Sequence, residues 1–516
     1  MAKLLTAEEA IQLIPDNATV LVNPVPAEEV FGAFDSVFER TGHPKDLTLV
    51  YSAGLGPWSA ERKGMNHFAY PGMLKRVIGA HFGLNHALVQ MIANNECEAY
   101  NLPQGVMAQL YRAIAAGQPG LATHFGLGTF VDPRIEGGKM NERTQSCEDL
   151  IELVQIAGQE MLLYKSFPVD VGIVRGTAAD PRGNITNEDE AIPLDNIEVA
   201  MAAKNTGGIV IAQVAQLLDT HAIPHNVEVP GVFVDYVVVA TSPELHPHTL
   251  FVQHDDAFVG KVRVALDKEM QPVAMGTEKI IARRALQEIR QGMNVNLGVG
   301  IAMEVASVAF EEGMLDSLCL NTEVGVFGGL PERGFNFGPA KNPEAFVSQA
   351  QMFDFYDGGG LDITCVGFAQ VDQAGNVNVS KLGNRVIGCG GFINLTQSTH
   401  KVIFCGEFTA GGLKLSVDGG RVSIVQEGKV PKFIEAVQQI TFSGGNAVTR
   451  EQDIMYVTER CVFRLTPEGL VLAEVAPGID IERDIIAHMN FAPIVPDDVP
   501  LMDAAIFQEG TMAAAQ

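Results

Sequence analysis

This chain repeats itself. The run Val169-Asp170-Val171-Gly172-Ile173-Val174, followed by Asp180-Pro181-Arg182-Gly183-Asn184-Ile185, is echoed by Leu361-Asp362-Ile363-Thr364-Cys365-Val366 and Asp372-Gln373-Ala374-Gly375-Asn376-Val377. The spacing holds at both places, since Asp362 lies 192 positions after Asp170 and Gly375 lies 192 after Gly183 (362 − 170 and 375 − 183). Each copy reads as a buried strand, a short connector and an Asp-x-x-Gly-Asn turn that opens a further strand. Glycine there supplies positive φ, and Asp and Asn bond to the turn backbone. A repeat at this distance implies two related supersecondary units.

The beginnings of the two halves agree. Ala7-Glu8-Glu9-Ala10-Ile11-Gln12-Leu13-Ile14 leads to Thr19-Val20-Leu21-Val22, as Lys279-Ile280-Ile281-Ala282-Arg283-Arg284-Ala285-Leu286 leads to Asn294-Val295-Asn296-Leu297. Both read as a helix and then a buried strand. A further strand follows, ending at Ser52-Ala53-Gly54 in the first half and at Glu323-Val324-Gly325 in the second, so Ser52 and Glu323 hold equivalent positions. The chain is therefore expected to be α/β, with two similar open α/β domains fused in one chain. The first spans 1–245 and carries an insertion between about residues 60 and 140; the second spans 277–516. Residues 246–276, with Pro247, His254-Asp255-Asp256, Pro272 and Gly276 and no sustained periodicity, read as an interdomain linker with a solvated charged cluster. Different residues at the same strand end imply that one half carries the chemistry and the other helps to build the pocket.

In open α/β sheets, ligands meet the chain beyond the carboxyl ends of the strands. Leu318-Cys319-Leu320-Asn321-Thr322-Glu323 places a carboxylate there, and Gly325, Gly328 and Gly329 follow at once, where bare backbone can approach a ligand. Such a carboxylate suits a nucleophile or general base. Glu407, in Cys405-Gly406-Glu407-Phe408, is a rival by the same argument, and position alone does not separate the two. Gly388-Cys389-Gly390-Gly391 and Gly298-Val299-Gly300 add glycine clusters that suit a long, narrow ligand threaded past backbone. The latter lacks the third glycine of a dinucleotide fingerprint, because Met303 stands in its place. No phosphate-loop Gly-x-x-x-x-Gly-Lys run and no nucleophile elbow occur. Proline between His246 and His248 argues against a metal site there, and no metal is expected.

Charge narrows the partners. A formal net charge of −27, with no basic block, makes nucleic acid and anionic membrane poor partners. No apolar run reaches the roughly 18 residues of a membrane span. The opening Met1-Ala2-Lys3-Leu4-Leu5 followed by Thr6-Ala7-Glu8-Glu9 has no secretory core, so a cytoplasmic protein is expected. Seven scattered cysteines read as reduced core thiols. An anionic small molecule remains compatible with this charge if glycine amides and local cations such as Lys381, Arg385 and Lys414 form a site.

Several motifs in order resemble the family I CoA-transferases, in particular single-chain acyl-CoA:acetate/3-ketoacid CoA-transferases. They are Leu102-Pro103-Gln104-Gly105, Gly126-Leu127-Gly128-Thr129-Phe130 through Arg134, Glu323-Val324-Gly325 with Gly328-Gly329, Phe353-Asp354-Phe355-Tyr356-Asp357-Gly358-Gly359-Gly360, Gly390-Gly391-Phe392 and Ala476-Pro477-Gly478. The resemblance spans nearly the whole chain and implies paired domains of the CoA-transferase type. It implies that Glu323 is the covalent nucleophile, rather than Glu407, and that Gln104 is an amide donor to the oxyanion formed in acyl transfer. Gly298, Gly300, Gly390 and Gly391 would line the passage of coenzyme A, with Lys381 and Arg385 as candidate partners of its phosphates. The implied reaction is ping-pong transfer of CoA between a short-chain acyl-CoA and a carboxylic acid through a glutamyl-CoA thioester, with no cofactor beyond the CoA thioester substrate. A homo-oligomer, dimer or tetramer, is expected. An acyl-CoA hydrolase using the same glutamate and a non-catalytic acyl-CoA-binding protein are the alternatives. The chain departs from the family at Asn23-Pro24-Val25-Pro26, where relatives are glycine-rich, and at Phe327, which could reshape the acyl pocket.

Overall fold

A computed structural model describes residues 2–512 except Ala60, Glu269 and Gln271. Two sheets organise the chain. The first runs in the order Lys3–Leu4, Tyr236–Val239, Ile209–Leu217, Val171–Ala179, Thr19–Val22, Leu47–Tyr51, Leu74–Gly79 and Glu98–Asn101, all parallel, with the short strands Ile185–Thr186 and Val227–Val229 attached at one end. The second contains Asp453–Val457, Lys401–Cys405, Ile363–Gly367, Asn294–Leu297 and Cys319–Thr322 as parallel neighbours. Antiparallel strands extend it at both edges.

The two five-strand cores superpose strand for strand. Thr19 pairs with Thr48 and Val20 with Val171 in the first; Asn294 pairs with Cys319 and Val295 with Ile363 in the second. The registers reproduce the 192-residue offset (363 − 171) and make Ser52 and Glu323 equivalent. The repeated turn is built alike in both copies. Asp180 Oδ1 accepts from the amides of Arg182 and Asn184 while Asn184 Nδ2 donates to Asp180 Oδ2; Asp372 does the same with Ala374 and Asn376. Gly183 (φ 81°) and Gly375 (φ 75°) supply the positive φ that closes each turn.

The insertion in the first half supplies the parallel strands Leu74–Gly79 and Glu98–Asn101, the helix His86–Ala93 and the helix Gln104–Ala115. Buried apolar side chains form one core on the first sheet and one on each face of the second, and a small fourth cluster of Val25, Ile192, Leu194, Val324, Val326 and Ala340 joins the two halves. Burial on this scale, at about 25 cal/mol per Å2 of apolar surface, is what holds the layers together.

The segment after residue 245 is not solvated at its start. Arg175 is fully buried, ion-paired to Glu190 at 2.8 Å, and its guanidinium donates to the carbonyls of Pro26 and Pro247, which draws His246 and His248 inside. An arginine so placed needs acceptors for its remaining N–H groups. In the charged cluster, His254 and Asp256 are exposed, as expected, and Asp255 is half-buried. All seven cysteines are unpaired, and five of them are buried. No helix among the described residues is long and apolar enough to cross a membrane.

Candidate active site

Glu323 sits in the tight connection between Cys319–Thr322 and the antiparallel strand Val326–Phe327. Gly325 makes that connection feasible. Its φ is 105°, and a Cβ there would collide with the carbonyl of Val347, which lies against the turn because the Val347 amide donates to Gly325 O at 2.9 Å. The result is a carboxylate fixed at a strand end with no cation paired to it among the described residues. Burial pushes the Glu323 carboxyl up to about 7, against the opposing effects of its own backbone amide and the Asn296 side-chain amide. Asn296 is itself held in the strand below, donating to Asn321 O at 3.3 Å, while Tyr356 Oη donates to Asn321 Oδ1 at 2.6 Å. The two asparagines are register partners, which explains polar residues in otherwise apolar buried strands.

Gln104 opens the helix Gln104–Ala115, and the residue is 3% exposed. Its amide N–H donates to Gly390 O at 2.9 Å, and its side-chain Nε2 donates to Gln349 Oε1 at 3.3 Å. Gly390 stands against Gln104, and the next residue, Gly391, stands against the carboxylate: a Cβ built on Gly391 would lie 3.7 Å from Glu323 Cγ and 3.3 Å from Phe353. The loop that carries Gly390 and Gly391 is anchored on the first domain, where the Gly390 amide donates to Ala80 O and the Cys389 amide to Asn101 Oδ1. Gly105 packs against the Phe353 ring, and its amide donates to Asn394 Oδ1. Residues of both halves thus build one site. Two helices, Gln104–Ala115 and Gln349–Asp357, begin beside it and present their positive ends.

Ser52 reaches the same place from the first sheet. Its hydroxyl lies against Asp195 Oδ2 and 3.4 Å from Gln349 Oε1, and all three side chains are fully buried. Asp195 is pushed up to about 8 by burial and by the neighbouring Glu198. His81, close to Gly390 and Gly83, is pulled down to about 4 by burial and is neutral at pH 7. Sequence reasoning missed Asp195, Gln349, Asn296 and Tyr356. Gln349 carried one readable signal, the capping box Ser348-x-x-Gln351 that starts its helix.

The remaining candidates lie as follows. Gly298 and Gly300 end the strand Asn294–Leu297, next to Cys319–Thr322, with Gly298 against Val366 and Gly300 at φ 96°. Lys381 and Arg385 belong to a hairpin packed on the first domain, where Lys381 Nζ donates to Met140 O at 3.0 Å and the Arg385 guanidinium lies 4.2 Å over the Trp58 ring. Lys414 is exposed on a separate hairpin. Glu407 ends Lys401–Cys405, three strand spacings or about 14 Å from Cys319–Thr322, and faces Lys432 and Glu459 instead of the Gln104 amide. Phe327 packs edge-on against Phe355 at 5.5 Å. Among the described residues no group of three or more histidine, cysteine or carboxylate side chains is arranged to hold a metal ion.

The chain is similar to known proteins over nearly its whole length. Residues 4–240 match the family model described as Coenzyme A transferase. The chain is 45% identical to the caffeate CoA-transferase of Acetobacterium woodii, covering 99% of this chain and 98% of that one. It is 40% identical to the acetate CoA-transferase YdiF of Escherichia coli K12, covering 99% and 96%. The crystal structure of the YdiF acyl-CoA transferase of E. coli O157:H7, described as a thioester complex with CoA, superposes with a TM-score of 0.91 at 38% identity over 99% of this chain and 97% of that one.

Proposed function

Since the chain belongs to the coenzyme A transferase family, we propose that it moves CoA by covalent catalysis at Glu323, between a short-chain acyl-CoA and a small carboxylic acid. It is an enzyme that passes coenzyme A from an acyl-CoA to an acid. The Glu323 carboxylate attacks the thioester carbonyl and expels CoA thiolate, leaving a glutamyl-acyl anhydride. The thiolate then attacks the glutamyl carbonyl, the first acid departs, and a glutamyl-CoA thioester remains. A second acid attacks that thioester, regenerates an anhydride and releases the thiolate, which takes the new acyl group and frees Glu323. One thioester is exchanged for another, so no other cofactor is required.

The observation that carries this reading is the desolvated carboxylate of Glu323, with no cation bonded to it among the described residues, set against Gly391, whose neighbour Gly390 backs onto Gln104. Desolvation makes the carboxylate a stronger nucleophile, and preorganised donors stabilise the oxyanion as it forms. Gln104 Nε2 and the Gly391 backbone are the proposed donors. Gly298 and Gly300, at the adjoining strand end, are proposed to flank the CoA chain. The apolar cluster around Val324 adjoins the nucleophile and suits an apolar acyl chain. Acetate, propionate and 3-ketoacids are the proposed class, with the caffeate and acetate named for the two relatives as first substrates to try.

Initial rates with acetyl-CoA and propionate test the reading. Parallel double-reciprocal lines and propionyl-CoA formation are expected. CoA release at the same rate without any acid would identify a hydrolase, and convergent lines would remove the covalent cycle.

A further inference from the structure

A transferase of this kind must hold a free carboxylate beside its glutamyl-CoA thioester. The acid that leaves after the first half-reaction, and the acid that starts the second, both occupy the acyl subsite as anions. Taking an anion out of water is costly unless charges or hydrogen-bond donors meet it. Among the described residues no Lys or Arg side chain is bonded to Glu323, Gln104, Ser52 or Gln349. Neutral donors must serve.

Gln349 has the required features. It is the first residue of its helix, fully buried, and its Nε2 has no partner. A buried amide N–H left unpaired costs about 1–3 kcal/mol, so an empty donor in such a place is explained by a ligand that fills it. Its Oε1 is fully engaged by Gln104 Nε2 at 3.3 Å and by Ser52 Oγ at 3.4 Å, which fixes the orientation of the amide and leaves both Nε2 hydrogens for something else. The other end of the chain of contacts supports this direction. The one hydroxyl hydrogen of Ser52 cannot serve Asp195 and Gln349 together. Burial and Glu198 raise the Asp195 carboxyl to about 8, and protonated Asp195 can supply the hydrogen of its contact with Ser52 Oγ, which frees the Ser52 hydroxyl to donate to Gln349. Each donor in such a chain polarises the next.

We propose that Gln349 binds the free carboxylate substrate, its Nε2 donating to an oxygen of the acid that enters or leaves beside Glu323, with Ser52 and Asp195 as positioning residues behind it. The proposal rests on the reading of Glu323 as the nucleophile. It also gives the duplicated fold a use at both equivalent strand ends: Glu323 supplies the nucleophile from the second sheet, and Ser52 orients the carboxylate binder from the first.

The test separates the two half-reactions in the full-length protein. Gln349→Met keeps volume and removes both the donor and the oxygen that holds Gln104. Glutamyl-CoA formation from acetyl-CoA, followed by intact mass, is expected to slow, because Gln104 loses a partner and the leaving acid loses a donor, but by several-fold less than the rise in KM for propionate, which is about 10- to 100-fold, the worth of a hydrogen bond to a charged group. Ser52→Ala, a smaller change, is expected to raise the propionate KM about 3- to 10-fold and leave the acetyl-CoA KM in place. Asp195→Asn, whose amide can still donate to Ser52, is expected to keep the propionate KM within about twofold of the parent value. An unchanged propionate KM in both Gln349→Met and Ser52→Ala would overturn the proposal. So would an equal loss in both half-reactions, which would make Gln349 a prop for Gln104. If the unmodified protein forms no CoA adduct at Glu323, it is the nucleophile assignment that has failed; a normal adduct with an unchanged acid KM isolates the failure to Gln349.

Discussion

Glu323 shows how position sets reactivity. Its carboxyl is raised to about 7 by burial, and only the ionised form can attack a thioester, so kcat/KM for the acyl-CoA should fall as pH drops below about 7, tenfold per pH unit at the acid limit. The same shift has a stability cost of opposite pH sign. The folded state binds the proton more tightly than the unfolded chain, whose value is 4.5, so stability is full below that value and is lost as pH rises through about 7. Glu323→Gln, which cannot ionise, should therefore unfold at a higher denaturant midpoint at pH 8, by about 1–3 kcal/mol, and gain little at pH 4. A midpoint unchanged at pH 8 would contradict the burial of this carboxyl. The place of Glu323 at a strand end was legible in the sequence because a strand end followed by glycine has a local signature. Gln349 was not, because what matters about it is a contact with Gln104, 245 residues away, and no local pattern encodes such a meeting.

At the scale of the element, turns and helix starts do the positioning. Gly325 and Gly391 flank the nucleophile but for different reasons, which substitution separates. Gly325 has φ 105° and a Cβ there has nowhere to go, so Gly325→Ala should destabilise the second domain by more than about 2 kcal/mol in chemical denaturation. Gly391 has ordinary φ, and its Cβ would meet Phe353 and Glu323 at 3.3 and 3.7 Å. Gly391→Ala should cost less than about 1 kcal/mol of stability yet lower kcat at least tenfold, since it fills the approach to the carboxylate. Of the elements, the repeated Asp-x-x-Gly-Asn hairpins and the paired first strands were readable because turn chemistry and apolar periodicity are local. The insertion was readable as extra length only. That it extends the first sheet by Leu74–Gly79 and Glu98–Asn101, and brings Gln104 to the edge of the second domain, depends on strand pairing between distant segments. The burial of His246 and His248 escaped the sequence for a similar reason: it follows from the guanidinium of Arg175, some seventy residues earlier.

The whole molecule is two related sheets with one site between them. Neither half holds the site alone, since Gln104 and Ser52 come from the first and Glu323, Gln349 and Gly391 from the second. Each sheet has its own apolar core, so segments 1–245 and 277–516 produced separately should each show cooperative unfolding while lacking transferase activity. Activity should return when they are combined. Full activity in the second segment alone would contradict an interdomain site. The duplication was legible at this scale because both copies kept the same turn and strand spacing. The division of labour between copies was half legible, as different residues at equivalent strand ends.

The most direct test of the account is the intact mass of the protein after incubation with acetyl-CoA in the absence of acceptor acid, with Glu323→Ala in parallel. The account predicts a mass gain equal to coenzyme A minus water, absent from Glu323→Ala. Borohydride should then convert the Glu323 side chain to an alcohol that peptide mapping locates. No adduct with any short-chain acyl-CoA, or an adduct mapping to Glu407, would contradict it.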